Sequence, residues 1–423
     1  MGVKALKGFK DILPDEVHIW QRIEGTARDI FHRFGFAEIR VPILEKTDLF
    51  VRSIGEVTDI VEKEMYTFTD RNGDSVTLRP EGTAPLLRAY IEHGLHVRQP
   101  VQRLYTIGPM FRHERPQKGR LRQFHQLSAE VLGSEHPRLD AEVMAMAWLL
   151  LQELGLRISL EINSLGCPQC RPSYKEKLVG FLDRCGDSLC ADCQRRRSAN
   201  PLRVLDCKSE NCREKIKDAP ATTDHLCGQC RNHFQEVRQC LQLLDIPHKV
   251  NSFMVRGLDY YTRTTFELLT GELGAQSAVG AGGRYDGLVE KLGGPNVPGI
   301  GFGLGIERLA LLMSLQDAHG TGSRPDLFLA ALGEQAAAKG LAMAHALRTR
   351  GLRVILDHEG RSLKSQMKAA NKLQARYALI IGEAELEKKE ASLRKMETGD
   401  QEPFALSDDL ESWSDALRKK LNS

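Results

Sequence analysis

TIGPMFRHERPQKGRLRQFHQLSAEVLG, residues 106–133, is the stretch on which the reading of this chain turns. Two strand-like segments, RLYTIG (103–108) and QFHQLSAEVLG (123–133), flank a loop dense in cations: Arg112, His113, Arg115, Lys118, Arg120 and Arg122. A generic basic loop of this kind is a solvated hairpin tip. A second reading competes with it. Arg112 follows Phe111 at the end of an apolar strand, where a planar guanidinium is held rigidly enough to grip a phosphate. Phe124 on the returning strand offers a face to a flat base, and Gln126 and Glu130 follow at even spacing on the same face of the sheet. An aromatic ring, an amide and a carboxylate opposite an arginine are not what a hydrophobic core selects. The usual phosphate loops are missing. No GxxxxGKS or GxxxxGKT occurs, and both GAGGRYDG (280–287) and GIGFGLGIER (299–308) lack the third glycine of a dinucleotide turn. A nucleotide bound here would depend on arginines and a divalent metal.

Around this hairpin, 423 residues leave room for two or three domains at about 150 residues each. With 41% hydrophobic and 27% charged residues, the composition excludes disorder and collagen-like order. Fifty-nine basic against 56 acidic residues leave +3, too little to announce a nucleic-acid partner. The longest apolar run, residues 143–151, is nine residues long and cannot span a bilayer, which takes roughly 20. The opening MGVKALKGFKDILPDE reaches acidic residues before any apolar signal core, so the expected compartment is the cytoplasm, with no membrane partner.

Residues 14–34 carry helical periodicity through Val17, Trp20, Ile23, Ala27, Ile30 and Phe34, with Pro14 near the start and Gly35 at the stop. GFAEIRVPILE (35–45) reads as a strand, and Pro42 inside it places that strand at an edge or an interface. Further strands are expected at 75–80 and 157–163, with helices over 84–91 and 139–154. Residues 165–247 change character. Between positions 167 and 231 lie nine of the ten cysteines, the run RRR (195–197), and 13 basic against 9 acidic residues. This zone reads as an insertion, because strand-like, glycine-rich sequence resumes from 249 to 313. DAHGTGSRP (317–325) is a linker. Beyond it, strands at 326–332, 352–357 and 377–382 alternate with helices at 334–351 and 362–373, implying a mostly parallel sheet. The expected domains are 1–164 and 248–322 as two parts of one core, 165–247 as the Cys-rich insertion, and 323–423 as a separate α/β domain.

CPQC (167–170), CADC (190–193), CKSENC (207–212) and CGQC (227–230) form four close cysteine pairs. Such pairs have the bite of a tetrahedral thiolate site, and two pairs make one zinc. The alternative is reduced thiols packing a small subdomain. No metal ligand is assigned from spacing alone.

The hairpin resembles motif 2 of the class II aminoacyl-tRNA synthetases. FGLGIERLALLM (302–313) resembles their motif 3, and GFAEIRVPILE with the helix before it is similar to motif 1. RGLDYYTRTTFE (256–267) and the AGGRYDG stretch resemble the two signatures of the histidyl-tRNA synthetase family. The resemblance implies an α+β class II fold: an antiparallel sheet flanked by helices, a small inserted domain and a C-terminal anticodon-binding domain. It implies L-histidine, ATP with Mg2+ and tRNA(His) as ligands, and a homodimer through motif 1. Arg112 would hold the α-phosphate and the substrate carboxylate, with Arg256 beside it where other class II families rely more on a metal ion. Phe124 would stack on adenine with Glu114 near the base, and Arg308 would bind the γ-phosphate. Glu81, Gly82 and Thr83 of RPEGT (79–83) would line the amino-acid pocket, Glu81 meeting the ammonium group. Gln126, Glu130, Tyr260 and Tyr261 would complete that pocket and Tyr285 would close it. Arg115 and Gln117 are the candidates for the tRNA acceptor end. Any metal in the insertion would be structural, and the insertion itself would clamp the acceptor arm.

An imidazole offers one donor and one acceptor nitrogen, so a carboxylate and a tyrosine hydroxyl suit it. Buried partners of this kind reject an isostere without those nitrogens at roughly 1–3 kcal/mol each, and no editing domain is needed. A related non-enzymatic class, the regulatory subunit of ATP phosphoribosyltransferase, lacks the C-terminal domain and usually has a damaged RGLDYY or motif 2 segment. Here Arg112, Arg256, Arg308 and residues 324–423 are all present. A plain RNA-binding module would not explain the histidine-pocket residues.

Overall fold

The hairpin expected around the cationic loop is present in the computed structural model, which describes residues 2–56, 58–272, 278–316 and 324–422. In chain order the strands are β1 (Ala37–Glu38), β2 (Leu44–Lys46), β3 (Tyr66–Thr69), β4 (Ser75–Leu78), β5 (Gln102–Phe111) and β6 (Gln123–Leu132). They continue with β7 (Ser159–Ser164), β8 (His248–Val250), β9 (Thr262–Leu269), β10 (Ala278–Arg284) and β11 (Gly299–Gly305). Strands β5 and β6 pair antiparallel along their whole length, from Gln102 opposite Leu132 to Phe111 opposite Gln123. They sit inside an eight-stranded sheet of order β1-β5-β6-β11-β10-β9-β7-β8. Its inner pairings are antiparallel, and only the edge strands β1 and β8 run parallel to their neighbours.

One face of this sheet is apolar. Leu127, Ala129 and Val131 of β6 and Ile300, Phe302 and Leu304 of β11 form one core with residues of three helices, Val17–Arg33, Pro137–Glu153 and Ile306–Gln316. The first helix buries Trp20, Ile23, Ala27 and Ile30, the periodic positions of the sequence. Gly35 ends it at φ +76°, a left-handed value that glycine adopts freely. Pro14 lies in the turn before it.

The stretch 35–45 is not one strand. Ala37 and Glu38 join the large sheet, whereas Leu44–Lys46 joins a separate three-stranded sheet of order β2-β4-β3. Pro42 has no N–H to give a ladder. The Arg79 Nη1 takes the carbonyls of Val41 at 2.9 Å and Pro42 at 3.3 Å, so a side chain satisfies what a partner strand would have.

Residues 165–247 contain the helices Arg171–Cys185, Ala191–Ala199, Glu210–Lys215 and Gly228–Leu243. The last of them puts Phe234, Val237 and Leu241 into the same core as the large sheet. The basic run is paired within its own unit: Arg196 meets Asp59 at 3.1 Å, Arg197 meets Asp183 at 3.4 Å and Arg195 meets Asp192 at 3.6 Å.

The chain divides into two compact units, Met1–Ala318 and His319–Ser423. The linker 317–325 lies mostly outside the described residues. In the second unit, β12 (Leu327–Leu332), β13 (Val354–Leu356), β14 (Tyr377–Gly382), β15 (Glu390–Lys395) and β16 (Gln401–Ala405) form a sheet of order β13-β12-β14-β15-β16. The first three strands are parallel, as the alternating pattern requires. The sheet is nevertheless mixed rather than mostly parallel, because β15 and β16 add two antiparallel pairings. The turn between them carries Gly399 at φ +81°, a hairpin position.

Candidate active site

The other face of the large sheet floors a cleft of about 590 Å³. Glu81, Thr83, Arg112, Glu114, Phe124, Gln126, Glu130, Arg256, Tyr260, Tyr261, Tyr285 and Arg308 all line it. The even spacing of Phe124, Gln126 and Glu130 does place them together, while Leu127, Ala129 and Val131 go to the core.

Each residue of RPEGT does separate work. Arg79 ties its strand to the hairpin through Nε to the Pro109 carbonyl at 2.9 Å. The Pro80 carbonyl accepts from Arg112 Nε at 2.8 Å, which fixes that guanidinium at the end of its strand. Glu81 accepts the first free N–H groups of the helix Thr83–Glu92, from Thr83 at 2.8 Å and Ala84 at 2.7 Å. A carboxylate belongs at that positive helix end. Gly82 does not line the cleft; it backs it, since a Cβ there would stand 2.8 Å from Ser128 Oγ. Thr83 donates its hydroxyl to Glu130 Oε1 at 2.6 Å.

Tyr285 donates to the other oxygen of Glu130, also at 2.6 Å. Burial pushes the Glu130 carboxyl up to about 8 despite these two donors. Tyr260 packs on Tyr261 with ring centroids 4.7 Å apart and meets Tyr285 edge-on at 5.9 Å. This end of the cleft is therefore a buried carboxyl ringed by hydroxyls and aromatic faces.

The other end is cationic. Arg112 lies over the Phe124 ring at 5.3 Å. Arg256 pairs with Glu267 and lies over the Tyr261 ring at 5.6 Å. Arg308 donates to the carbonyls of Ala278 and Gly119. Burial, with the neighbouring Arg120 and Arg112 adding to it, pushes the Arg308 pKa down. Such mutual repulsion marks a place that gains from an anion. Two buried polar atoms facing this cleft, Gln126 Oε1 and Arg256 Nε, have no hydrogen-bond partner among the described residues. Glu114 pairs with Arg120 and sits 3.9 Å from Arg112. Arg115 and Gln117 are exposed and stand outside the cleft at the hairpin tip, where Gln117 and Arg120 exchange backbone hydrogen bonds at 3.0 and 2.9 Å.

Several contributors were not singled out from sequence. Glu267 is a carboxylate between two core residues of β9, Phe266 and Leu268, and that interruption was a readable signal. Glu307 receives the His125 N–H at 2.9 Å and so locks the start of the last core helix to β6 beside Arg308. Asp206, Lys208 and Arg213, from the Cys-rich stretch 165–247, line the cleft, which no local pattern announces. Arg284, fully buried, is structural: it binds Asp140 at 2.8 Å, Asp286 at 2.9 Å and the Ser134 carbonyl at 2.9 Å.

The fold and this divided cleft place the chain among the class II aminoacyl-tRNA synthetases. Residues 8–309 match the profile of histidyl-tRNA synthetase, and residues 326–412 match that of an anticodon binding domain. A histidine–tRNA ligase of Desulfotalea psychrophila is 58% identical over 405 residues, 96% of this chain and 94% of that one. One from Geobacter sulfurreducens is 57% identical over 398 residues, 94% and 96% of the two chains. The crystal structure of apo histidyl-tRNA synthetase from S. aureus superposes with a TM-score of 0.81 at 37% identity, covering 98% of this chain and all of that one. The chain belongs to the histidyl-tRNA synthetase family.

Proposed function

We propose that the cleft joins L-histidine to tRNA(His) in two steps, and that its two ends divide the work. A histidine carboxylate oxygen attacks the α-phosphorus of ATP, the bond to the β-phosphate oxygen breaks, and pyrophosphate leaves. The terminal ribose hydroxyl of the tRNA then attacks the acyl carbon and AMP leaves. No protein nucleophile is required.

The buried carboxyl of Glu130 takes one nitrogen of the substrate imidazole, with Tyr260, Tyr261 and Tyr285 enclosing the ring and Gln126 beside it. Glu81 meets the ammonium group, with Gly82 and Thr83 shaping that wall. Arg112 and Arg256 hold the carboxylate and the α-phosphate and stabilise the charge that builds on its oxygens. Phe124 stacks on adenine, Glu114 lies near the base, and Arg308 binds the γ-phosphate. Mg2+ would come with the ATP phosphates and offset their charge; among the described residues no three carboxylates converge on this cleft to hold an ion by themselves. Fixed arginines on rigid strands provide alignment as well as charge.

Arg115 and Gln117 at the exposed hairpin tip meet the acceptor end and its extra 5′ guanosine, and the second unit reads the anticodon. The protein acts in the cytoplasm, where charged tRNA is used. No helix among the described residues is long and apolar enough to cross a membrane.

The observation that carries the proposal is the pairing of Glu130 with the Thr83 and Tyr285 hydroxyls, in the same cleft as three half-buried arginines. Histidine-dependent ATP–pyrophosphate exchange followed by charging of purified tRNA tests it. Exchange and charging are both expected. Histidine binding with neither activity would instead fit a regulatory, non-charging relative.

A further inference from the structure

The four cysteine pairs of the insertion are not left as four. Cys167 and Cys170 meet Cys227 and Cys230, and Cys190 and Cys193 meet Cys207 and Cys212; within each set every sulfur lies within 4.8 Å of the others. All ten cysteines of the chain are free of disulfides. The closest sulfurs are 3.7 Å apart for Cys167–Cys170 and 3.9 Å for Cys167–Cys227, Cys170–Cys230 and Cys190–Cys207. A disulfide needs about 2.05 Å. Four thiolates at about 2.3 Å around a tetrahedral ion stand about 3.8 Å from one another. The spacing is that of ligands.

The backbone is shaped to the sulfurs. Cys170 Sγ accepts the Cys167 N–H at 3.1 Å, and Cys212 Sγ accepts the Cys190 N–H at 3.2 Å. Gly166 turns at φ +71°, and a Cβ there would stand 2.5 Å from Cys170 Sγ. Cys170, Cys190 and Cys227 are each the residue before the first turn of a helix of nine or more residues, where the positive helix end favours a thiolate. Cys193, Cys212 and Cys230 are all but fully buried. Eight thiols converging in two buried knots are costly as isolated weak donors, and tetrahedral sulfur sets select zinc over harder cations.

We propose that the insertion binds two structural zinc ions, one in each tetracysteine set. The first site clasps the insertion at its root, because Cys167 and Cys170 follow β7 and Cys227 and Cys230 open the helix that returns to the core. Arg171, next to Cys170, donates to the Tyr261 carbonyl, so this clasp also steadies the tyrosine pair of the cleft. The second site fixes residues 207–212, where Lys208 and the adjoining Arg213 line the cleft. Arg213 Nε holds the Cys207 carbonyl at 3.2 Å, and Arg203 Nη1 holds the Arg256 carbonyl at 3.3 Å. Four thiolates and one Zn2+ carry a net −2 at each site, which Arg171 beside Cys167 and Cys170, and Arg213 beside Cys207, help to offset.

The test is metal analysis of the full chain purified without chelators and without a metal-affinity step. About two zinc ions per chain are expected, falling to about one in Cys190→Ser/Cys193→Ser and in Cys227→Ser/Cys230→Ser. Cobalt-loaded protein should show tetrahedral cobalt–thiolate absorption that halves in each variant. Should the variants misfold, the wild-type chain serves alone: a mercurial titrated into it should release two zinc ions in step with eight thiols. Less than about 0.5 zinc per chain, with eight thiols freely reactive, overturns the proposal. Iron in place of zinc overturns it as well, and a single zinc lost from only one variant overturns the other site.

Discussion

Among the described residues Glu130 receives two hydroxyl donors and no cation, which leaves burial to decide its protonation. Its carboxyl is raised from 4.5 to about 8, so the folded chain holds this proton over a range where the unfolded chain has released it. Stability of the free protein therefore falls as pH rises from about 4.5 to about 8, and the loss is complete above that window. Glu130→Gln should flatten this part of the stability–pH curve, read as the unfolding midpoint at several pH values. The same variant should raise the KM for histidine by about 5–150-fold, the equivalent of a lost buried hydrogen bond of 1–3 kcal/mol. Arg256 differs in kind, since its guanidinium pairs with Glu267 but its Nε has no hydrogen-bond partner among the described residues. Arg256→His should keep the fold, judged by circular dichroism, and lower histidine-dependent pyrophosphate exchange by about 10²–10³-fold. Wild-type exchange in that variant would remove Arg256 from the proposed chemistry.

At the scale of the element, β11 explains the glycine-rich texture that sequence reading noted only as dense. Three alternate glycines of the strand, Gly299, Gly301 and Gly303, each stand under a side chain that lines the cleft. A Cβ on Gly299 would meet Tyr285 at 2.2 Å, on Gly301 Glu130 Oε2 at 1.6 Å, and on Gly303 Gln126 Nε2 at 2.0 Å. The intervening Ile300, Phe302 and Leu304 fill the core. The strand is thus a floor with its cleft-facing side chains removed to admit those of its neighbours. Gly301→Ala should leave secondary structure intact yet displace Glu130, raising the histidine KM at least about tenfold, within the range for a lost buried contact. Unchanged kinetics would show that Glu130 is not held against β11. The same scale shows what was legible. Helix 17–33 and the β5–β6 hairpin follow local periodicity, and so does the parallel part of the second unit. The break at Pro42 does not, because it depends on a guanidinium 37 residues further along the chain.

Across the whole molecule, the buried clusters of residues 1–318 and those of the second unit are separate, so each unit has a core of its own. A chain ending at Ala318 should keep histidine-dependent exchange while losing roughly 10²–10⁴ in kcat/KM for tRNA, the size of an avidity contribution from a second binding module. Equal tRNA charging by the truncated chain would deny the second unit its anticodon role. The stretch around Pro42 also bears on assembly. Ile43 and Leu44 are 42% and 45% exposed, and Phe68 in the same small sheet is 48% exposed. Apolar side chains gathered at this level are suited to a second copy of the chain. Sedimentation at micromolar concentration should give a dimer, and a monomer there would contradict the homodimer. The sequence by itself determined the strand periodicity, the shared face of Phe124, Gln126 and Glu130, and the family, because those rest on spacing within a few residues. Tertiary structure alone decided which cysteine pairs meet, why the β11 glycines are required, that Arg284 is structural, and that Asp206, Lys208 and Arg213 border the cleft. Each of these depends on contacts between segments far apart in the chain, whose partners local spacing does not specify.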